Sequence, residues 1–359
     1  MGNQNFWIGA ASAGKLAIGN HNDLRGPVSS AGYESVPSGS APEPVFGIVT
    51  ALPEEFAAVR VLLDDAGQPW TIAGDRALYL LGTMPSRDEG RPHQVVLTLL
   101  GETGNGAAAE ACANLIRSFP SVDNVIMCGI ACGVPSPGRP ERHVRLGDIV
   151  VATWGIADYD HVVETDDGRR SRQPFPAPSP MLVRLARYLA AVEISGERPW
   201  EKWITEGLAV LTAYARPADS TDRIHAPDDP GRVIPHPSPA LTGHRTGWPK
   251  VHHGLIGSAD RSLRSARARD ELAADELIAF EMEGKGIGRA GFAGGLEWFV
   301  VRGVSDYGDM HTGQRWRGYA SVVAAAYVRA LIAECPPLSP RGGHPHASGG
   351  TRPERTGGR

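Results

Sequence analysis

This chain offers little that speaks for a covalent scaffold, a membrane or a nucleic acid. Only four of its 359 residues are cysteine: Cys112, Cys128, Cys132 and Cys335. Cys128 and Cys132 alone are close together, in a glycine-rich apolar segment with no histidine beside them. They read as core packing in a reducing compartment, not as a disulfide framework or a metal site. No run approaches the roughly eighteen apolar residues of a membrane span, and the N-terminus lacks a basic start followed by an apolar core. A cytoplasmic location with no membrane partner is the expectation. There is also no excess of positive charge. The net charge is -4, so no electrostatic footprint for nucleic acid is expected. Internal repeats are missing, and no glycine-rich turn is followed by the Gly-Lys-Ser/Thr of a phosphate loop.

What is present is ordinary globular material: 42% hydrophobic and 21% charged residues. Residues 1–44 and 337–359 are rich in Gly, Ser and Pro, cannot bury enough apolar surface to order themselves, and read as flexible tails. Between them, over 45–336, short apolar runs alternate with helical patterns, as in "VFGIVTAL" then "PEEFAAVRVLLDD", and "EWFVVRGVSD" then "RWRGYASVVAAAYVRALIAE". This order predicts an α/β three-layer sandwich around a central mixed, largely parallel sheet. Ligands in such sheets sit beyond the carboxyl ends of strands. Residues 196–250, rich in Pro, Asp and His, break the rhythm and read either as a functional lid or as a disordered insertion.

Several strand ends carry polar groups that their apolar context does not explain. "GIVTALPEE" delivers Glu54 and Glu55 just after the first strand, with Pro53 favourable in a first helical turn; helix-dipole compensation is the simpler account of the acids. "LLGETGNGAAA" places glycines, Gly104 among them, in a strand-to-helix turn where backbone amides can approach an anion or a sugar. "AFEMEGKGIG" ends a strand with Glu281 and Glu283 on either side of Met282, and period-two alternation points both carboxylates to one side. Finally, "FVVRGVSDYGDMH" carries Asp306 to the tip of a strand so apolar that both faces must be buried.

Taken in order, the glycine-rich turn, "CGIACGV", "HHGLIGSAD", "FEMEG" and "RGVSDYGD" resemble the nucleoside phosphorylase and nucleosidase superfamily. That superfamily includes the 5'-methylthioadenosine/S-adenosylhomocysteine nucleosidases, and the likeness is greater to nucleosidase-type domains of fungal immune receptors and bacterial defence proteins. It covers nearly everything from Val45 to about Glu334. The resemblance implies an enzyme that cleaves the bond between a purine and ribose C1', with no cofactor and no metal. Asp306 then falls on the general acid that protonates purine N7, a task that needs its pKa raised by shielding. Ser305 steadies it. Glu283 falls on the ribose-binding glutamate, Met282 packs beneath the sugar, and Glu55 orients and deprotonates the attacking water. Glu281, Gly104, Gly129, Ile130 and Arg261 complete the expected substrate contacts. Two positions depart from the family pattern: Ser262 in "SADRSL" stands where an aromatic residue often stacks on the base, and Ile130 replaces a serine.

A phosphorylase is the alternative, but it wants an arginine-lined phosphate site near the first strand, where this chain has acids that would repel phosphate. A non-catalytic nucleotide sensor is the third possibility, and it predicts loss of at least one catalytic carboxylate. "DRSLRSARARD", with Arg261, Arg264, Arg267 and Arg269, and "DMHTGQRWR", with His311, Arg315 and Arg317, suggest a substrate with a charged 5' group if the first set shares one helical face; a solvated basic face is the plain alternative. The partner expected is thus a purine nucleoside or nucleotide, with a homo-oligomer implied by resemblance.

Overall fold

The computed structural model describes residues 43–72, 74–166, 168–171, 175–273 and 276–341. The first 42 residues and the last 18, 342–359, which make up most of the two expected tails, lie outside the described residues. Element order is β1 (Phe46–Thr50), α1 (Pro53–Val61), β2 (Tyr79–Met84), β3 (His93–Leu99), α2 (Asn105–Ser118), β4 (Asn124–Gly133) and β5 (Ile149–Asp158). There follow β6 (Val162–Thr165), β7 (Gly168–Ser171), α3 (Pro180–Ile194), α4 (Pro199–Val210), β8 (Ile224–His225), β9 (Val233–Ile234) and α5 (Pro239–Thr242). The chain continues through β10 (Val251–Ser258), α6 (Ala266–Leu272), β11 (Leu277–Glu281), α7 (Gly284–Gly294), β12 (Glu297–Asp306) and α8 (Arg317–Ala333).

Eight strands form one sheet in the order β11-β10-β5-β12-β4-β1-β3-β2. Most neighbours run parallel, while β2/β3 and β5/β12 are antiparallel, so the sheet is mixed as expected. Near-continuous apolar strands suit such a sheet because both faces are covered. In β12 the two faces can be told apart by parity. Trp298 packs against Gly288 and Gly291 of α7, whereas Gly303 faces Ala320 of α8 so closely that a Cβ would fall 1.9 Å from its carbonyl oxygen. The helix α8 is buried all round from Tyr319 to Ile332, which explains why its sequence is apolar without a polar stripe.

An extra antiparallel pairing matters for function: β11 returns to β4, with Ala279 opposite Gly133 and Phe280 opposite Cys132. The sheet thereby curls, and the carboxyl ends of β1, β4, β11 and β12 meet around one cleft.

Residues 196–250 are ordered, so the reading as a disordered insertion falls. Helix α4 joins the helical layer, with Trp200 buried against Tyr327 at 5.5 Å between ring centroids. The rest is anchored to the sheet. Asp222 accepts from the Tyr307 hydroxyl at 2.6 Å and from Arg145 Nε at 2.8 Å. His236 Nδ1 meets His143 Nε2 at 2.9 Å. Asp148 Oδ2 meets His244 Nε2 at 2.7 Å and His252 Nε2 at 2.9 Å, while its Oδ1 accepts from the Lys250 amide at 2.9 Å. At the other end of the domain, residues 337–341, assigned above to a tail, stay docked: the Arg341 amide donates to the Ser121 carbonyl at 2.9 Å. Among the described residues no helix is long and apolar enough to cross a membrane.

Candidate active site

The cleft at the strand ends has a volume of about 310 Å³. Its polar lining includes Glu55, Glu281, Glu283, Ser305, Asp306 and Thr312. Each carboxylate arrives by a different local device.

Glu55 stands in the first turn of α1, where Pro53 opens the helix. Its Oε2 accepts from the amides of Ala51 and Leu52 at 2.7 and 2.9 Å, and its Oε1 from the Ile130 amide at 2.8 Å. Three amides hold the carboxylate in place: both lone pairs of Oε2 are taken, and one on Oε1 is left. Burial still dominates, and the Glu55 pKa is raised despite the Arg302 charge and those amides. Gly129 makes the arrangement possible, since a Cβ there would fall 2.4 Å from both Glu55 Oε1 and Arg302 Nη1. It serves as open backbone behind Glu55, and Ile130 reaches the cleft.

Glu281 ends β11, but Glu283 is no longer in the strand; it is the residue before α7, at φ -124° and ψ -27°. The two carboxylates do converge, by a turn and not by the period-two alternation expected. Glu281 Oε2 accepts from the amides of Glu283 and Gly284 at 3.0 and 2.7 Å and pairs with Arg302 Nη2. Glu283 Oε2 lies 3.1 Å from the same Arg302 nitrogen. Its Oε1 takes the amide of Gly104 at 3.1 Å, so that glycine, whose φ is +120°, positions Glu283 from behind. Burial, offset in part by Arg302 and reinforced by Glu281 and Glu55, pushes Glu283 up to about 7.

Arg302 was not among the sequence candidates, although a signal existed: it is the one charge inside "FVVRGV". A fully buried guanidinium must be paired. It faces Glu55 at 3.9 Å and Glu283 at 3.1 Å, and bonds Glu281. One cation thus stands among three carboxylates, and its own pKa is raised by them.

Asp306 lies opposite, at the tip of β12. Its Oδ2 is 2.8 Å from the Ser305 hydroxyl, and its Oδ1 accepts from the Gly308 amide at 2.8 Å with the Thr312 hydroxyl at 3.3 Å. Burial nevertheless outweighs these hydrogen bonds, and its pKa is raised. Cys132, read above as core packing, instead lines the cleft; burial pushes its thiol up, aided by the Asp306 charge. Met282 and Ser262 also reach the cleft.

The basic residues divide. The expected helical face does not form, because α6 begins only at Ala266, after Arg261 and Arg264. Arg261 lines the cleft but is paired with Asp160 at 2.7 Å and lies over the Tyr159 ring. Arg264 and Arg317 also line it and form no ion pair among the described residues. Arg269 is buried, held by Asp270 and by the Tyr307 carbonyl at 2.7 Å.

Comparison with known proteins bears on this geometry. A family model described as the phosphorylase superfamily matches residues 45–333. The chain is 28% identical over 331 residues to a nucleotide-binding leucine-rich repeat (NLR)-like protein of Hyaloscypha variabilis, covering 86% of this chain but 31% of that relative, so it spans under a third of that protein's length. It is 25% identical over 297 residues to a 5'-methylthioadenosine/S-adenosylhomocysteine nucleosidase of Mycobacterium bovis, covering 82% of this chain and 97% of the relative. An ATP nucleosidase, Cap17, of Escherichia coli is 24% identical over 280 residues, covering 77% of this chain and 49% of the relative. Among solved structures, the Neisseria meningitidis 5'-methylthioadenosine/S-adenosylhomocysteine nucleosidase in complex with methylthio-immucillin-A superposes with a TM-score of 0.54 at 20% identity, over 80% of this chain and 97% of that one.

Proposed function

The chain belongs to the phosphorylase superfamily, and from that premise we propose that it is a nucleosidase that hydrolyses the N-glycosidic bond of an adenine nucleoside or nucleotide. The observation that carries this reading is Glu55, a carboxylate fixed by three amides on the floor of a cleft that has a shielded acid, Asp306, on its other side.

In this reading Asp306, whose hold on its proton burial strengthens, gives that proton to the purine as the C1'–N9 bond lengthens. Glu283, between Gly104 and Arg302, accepts hydrogen bonds from the ribose hydroxyls, and its negative charge gains value as the sugar becomes cationic. Met282 packs beneath the ribose. Glu55 takes the proton of a water that attacks C1', leaving free base and a hydroxylated sugar. A phosphorylase fits less well, because phosphate would approach C1' beside Glu55, and the nearby cation, Arg302, is already committed to three carboxylates.

Two neighbours bear on the finer substrate. The relatives include both a methylthioadenosine-type and an ATP nucleosidase. Arg264 and Arg317, which form no ion pair among the described residues, favour a substrate with 5' phosphates over an apolar thioether. A cytoplasmic homo-oligomer that depletes nucleotides in defence is the setting this reading suggests.

The test is chromatographic measurement of base release from ATP, adenosine and methylthioadenosine, with and without phosphate. Release in phosphate-free buffer supports hydrolysis, and ribose 1-phosphate as the sole sugar product sinks it. Arg264→Ala should raise KM for ATP about tenfold more than for adenosine; equal changes would remove the 5'-phosphate reading.

A further inference from the structure

Asp306 borders two clefts. Behind the one already described lies a second of about 400 Å³, which shares Ser305, Asp306 and Thr312 with it. One wall comes from the 196–250 segment through Thr221, Arg223 and His225, and the other from the loop after β12 through His311, Gln314 and Arg315. None of these residues has a role in the reaction proposed above, although His311 and Arg315 were expected from the sequence to meet a charged 5' group.

The walls are fixed before any ligand arrives. Arg223 stands between buried Asp222 and buried Ile224, and Asp222 is held by Tyr307 at 2.6 Å and Arg145 at 2.8 Å. Trp316 Nε1 donates to the Thr221 hydroxyl at 3.1 Å, joining the walls near α8. At the outer end His225 and His311 stack at 3.6 Å between centroids, and a nitrogen of each ring reaches the Pro230 carbonyl, at 2.7 and 3.1 Å. Both imidazoles therefore donate to one oxygen.

Among the described residues the arginines inside are not ion-paired. Arg223 Nε donates to the Ser220 carbonyl at 2.8 Å, and among the described residues neither Arg223 nor Arg315 is ion-paired with a carboxylate. Asp222 is spent on Arg145 and Tyr307; the two acids that line the cleft, Asp306 and Asp309, are held by amides at 2.8 Å, from Gly308 and His311, and among the described residues neither is ion-paired with these arginines. Two guanidinium groups on rigid backbone, with donors around them, match the oxygens of a phosphate-bearing anion.

We propose that this second cleft is a binding site for a small diphosphate-bearing anion, separate from the substrate cleft and gripped by Arg223 and Arg315. A ligand there meets Thr312, whose hydroxyl contacts Asp306, so occupancy reports on the acid without blocking the base. The inference rests on the nucleosidase reading only for the role given to Asp306. The anion site itself is measured without turnover.

The experiment is calorimetric titration of the full chain with inorganic pyrophosphate, alone and with saturating adenine, repeated for the Arg223→Ala/Arg315→Ala double variant and for Arg264→Ala. The prediction is binding that adenine does not displace, weakened at least tenfold in the double variant and unchanged in Arg264→Ala. Circular dichroism checks that the double variant folds, which exposed arginines should allow, and an Arg223→Lys/Arg315→Lys variant should restore part of the affinity. No measurable binding, competition by adenine, or loss in Arg264→Ala in place of the double variant would overturn the proposal.

Discussion

Two buried polar clusters sit in this domain, and they are built on opposite principles. Around Arg302 three carboxylates share one guanidinium, and Arg302 Nε and Nη1 and Glu281 Oε1 find no hydrogen-bond partner among the described residues. Around Asp148 one carboxylate is saturated by two imidazoles and the amides of Arg145 and Lys250. The first cluster is short of positive charge, and burial raises the pKa of Glu55 and Glu283. The second holds Asp148 well below the usual carboxylate range, through hydrogen bonds and charge that overcome burial. The contrast teaches where to look for chemistry. A saturated cluster locks a segment in place, whereas an unsaturated one beside a cleft has capacity left for a substrate.

The sharpest way to break this contrast is to alter the acid facing the unsaturated cluster. Asp306→Asn keeps the shape but removes the proton, so base release should fall by roughly two to four orders of magnitude. Its melting temperature should hardly move. Near wild-type turnover would end the role given to Asp306.

The mirror experiment strikes the saturated cluster. Asp148→Asn presents an amide donor to groups that already donate, and should cost about 3 kcal/mol in urea unfolding. The turnover of the molecules that remain folded should match wild type. A variant that is stable yet inactive would show that the two clusters are one functional unit.

A pH series separates them as well. Burial lowers His143 and His253 to about 4, aided by neighbouring positive groups. Their unfolded value is near 6.5, so the stability they allow is present above that pH and is lost as pH falls from there towards about 4, by roughly 3 kcal/mol per imidazole at most. Glu283 runs the other way. Its folded pKa is raised to about 7, so its contribution is present below the unfolded carboxyl value and is lost as pH rises from there through 7. In calorimetric melting across pH 4 to 8 the two windows overlap: between 4.5 and 6.5 the Glu283 loss offsets part of the histidines' gain, and from there to about 7 it shows alone, so Glu283→Gln should steepen the acid side and flatten the alkaline side. If Glu283→Gln leaves the alkaline side unchanged, the charge surplus assigned to the Arg302 cluster is wrong.

How much of this could be read beforehand depends on the range of the interaction. The alternation of apolar strands and helices is set by side chains a few residues apart, so the mixed sheet, and the positions of Glu55 and Asp306 at strand ends, were legible in "GIVTALPEE" and "RGVSDYGD". The helical face drawn through Arg261, Arg264 and Arg267 was not there, because Ser265 caps α6 with its hydroxyl accepting from the Ala268 amide at 3.3 Å, so the helix starts only after Arg264. Likewise the turn at Met282 moved Glu283 out of the strand and into a cap.

By itself, the sequence determined which segments bury and which acids reach a strand end, since burial and periodicity are local properties. Only the tertiary structure decided which charges meet. Arg302 is a lone basic residue in an apolar run until the order β12-β4-β1 and the return of β11 to β4 bring Glu55, Glu281 and Glu283 to it. Whether an arginine lacks an ion pair among the described residues, as Arg264 does, or is paired, as Arg261 is with Asp160, likewise depends on which carboxylate the fold brings near. The physical reason is that Coulomb and hydrogen-bond partners are chosen by distance in space, and in a crossed-over sheet that distance bears little relation to separation along the chain.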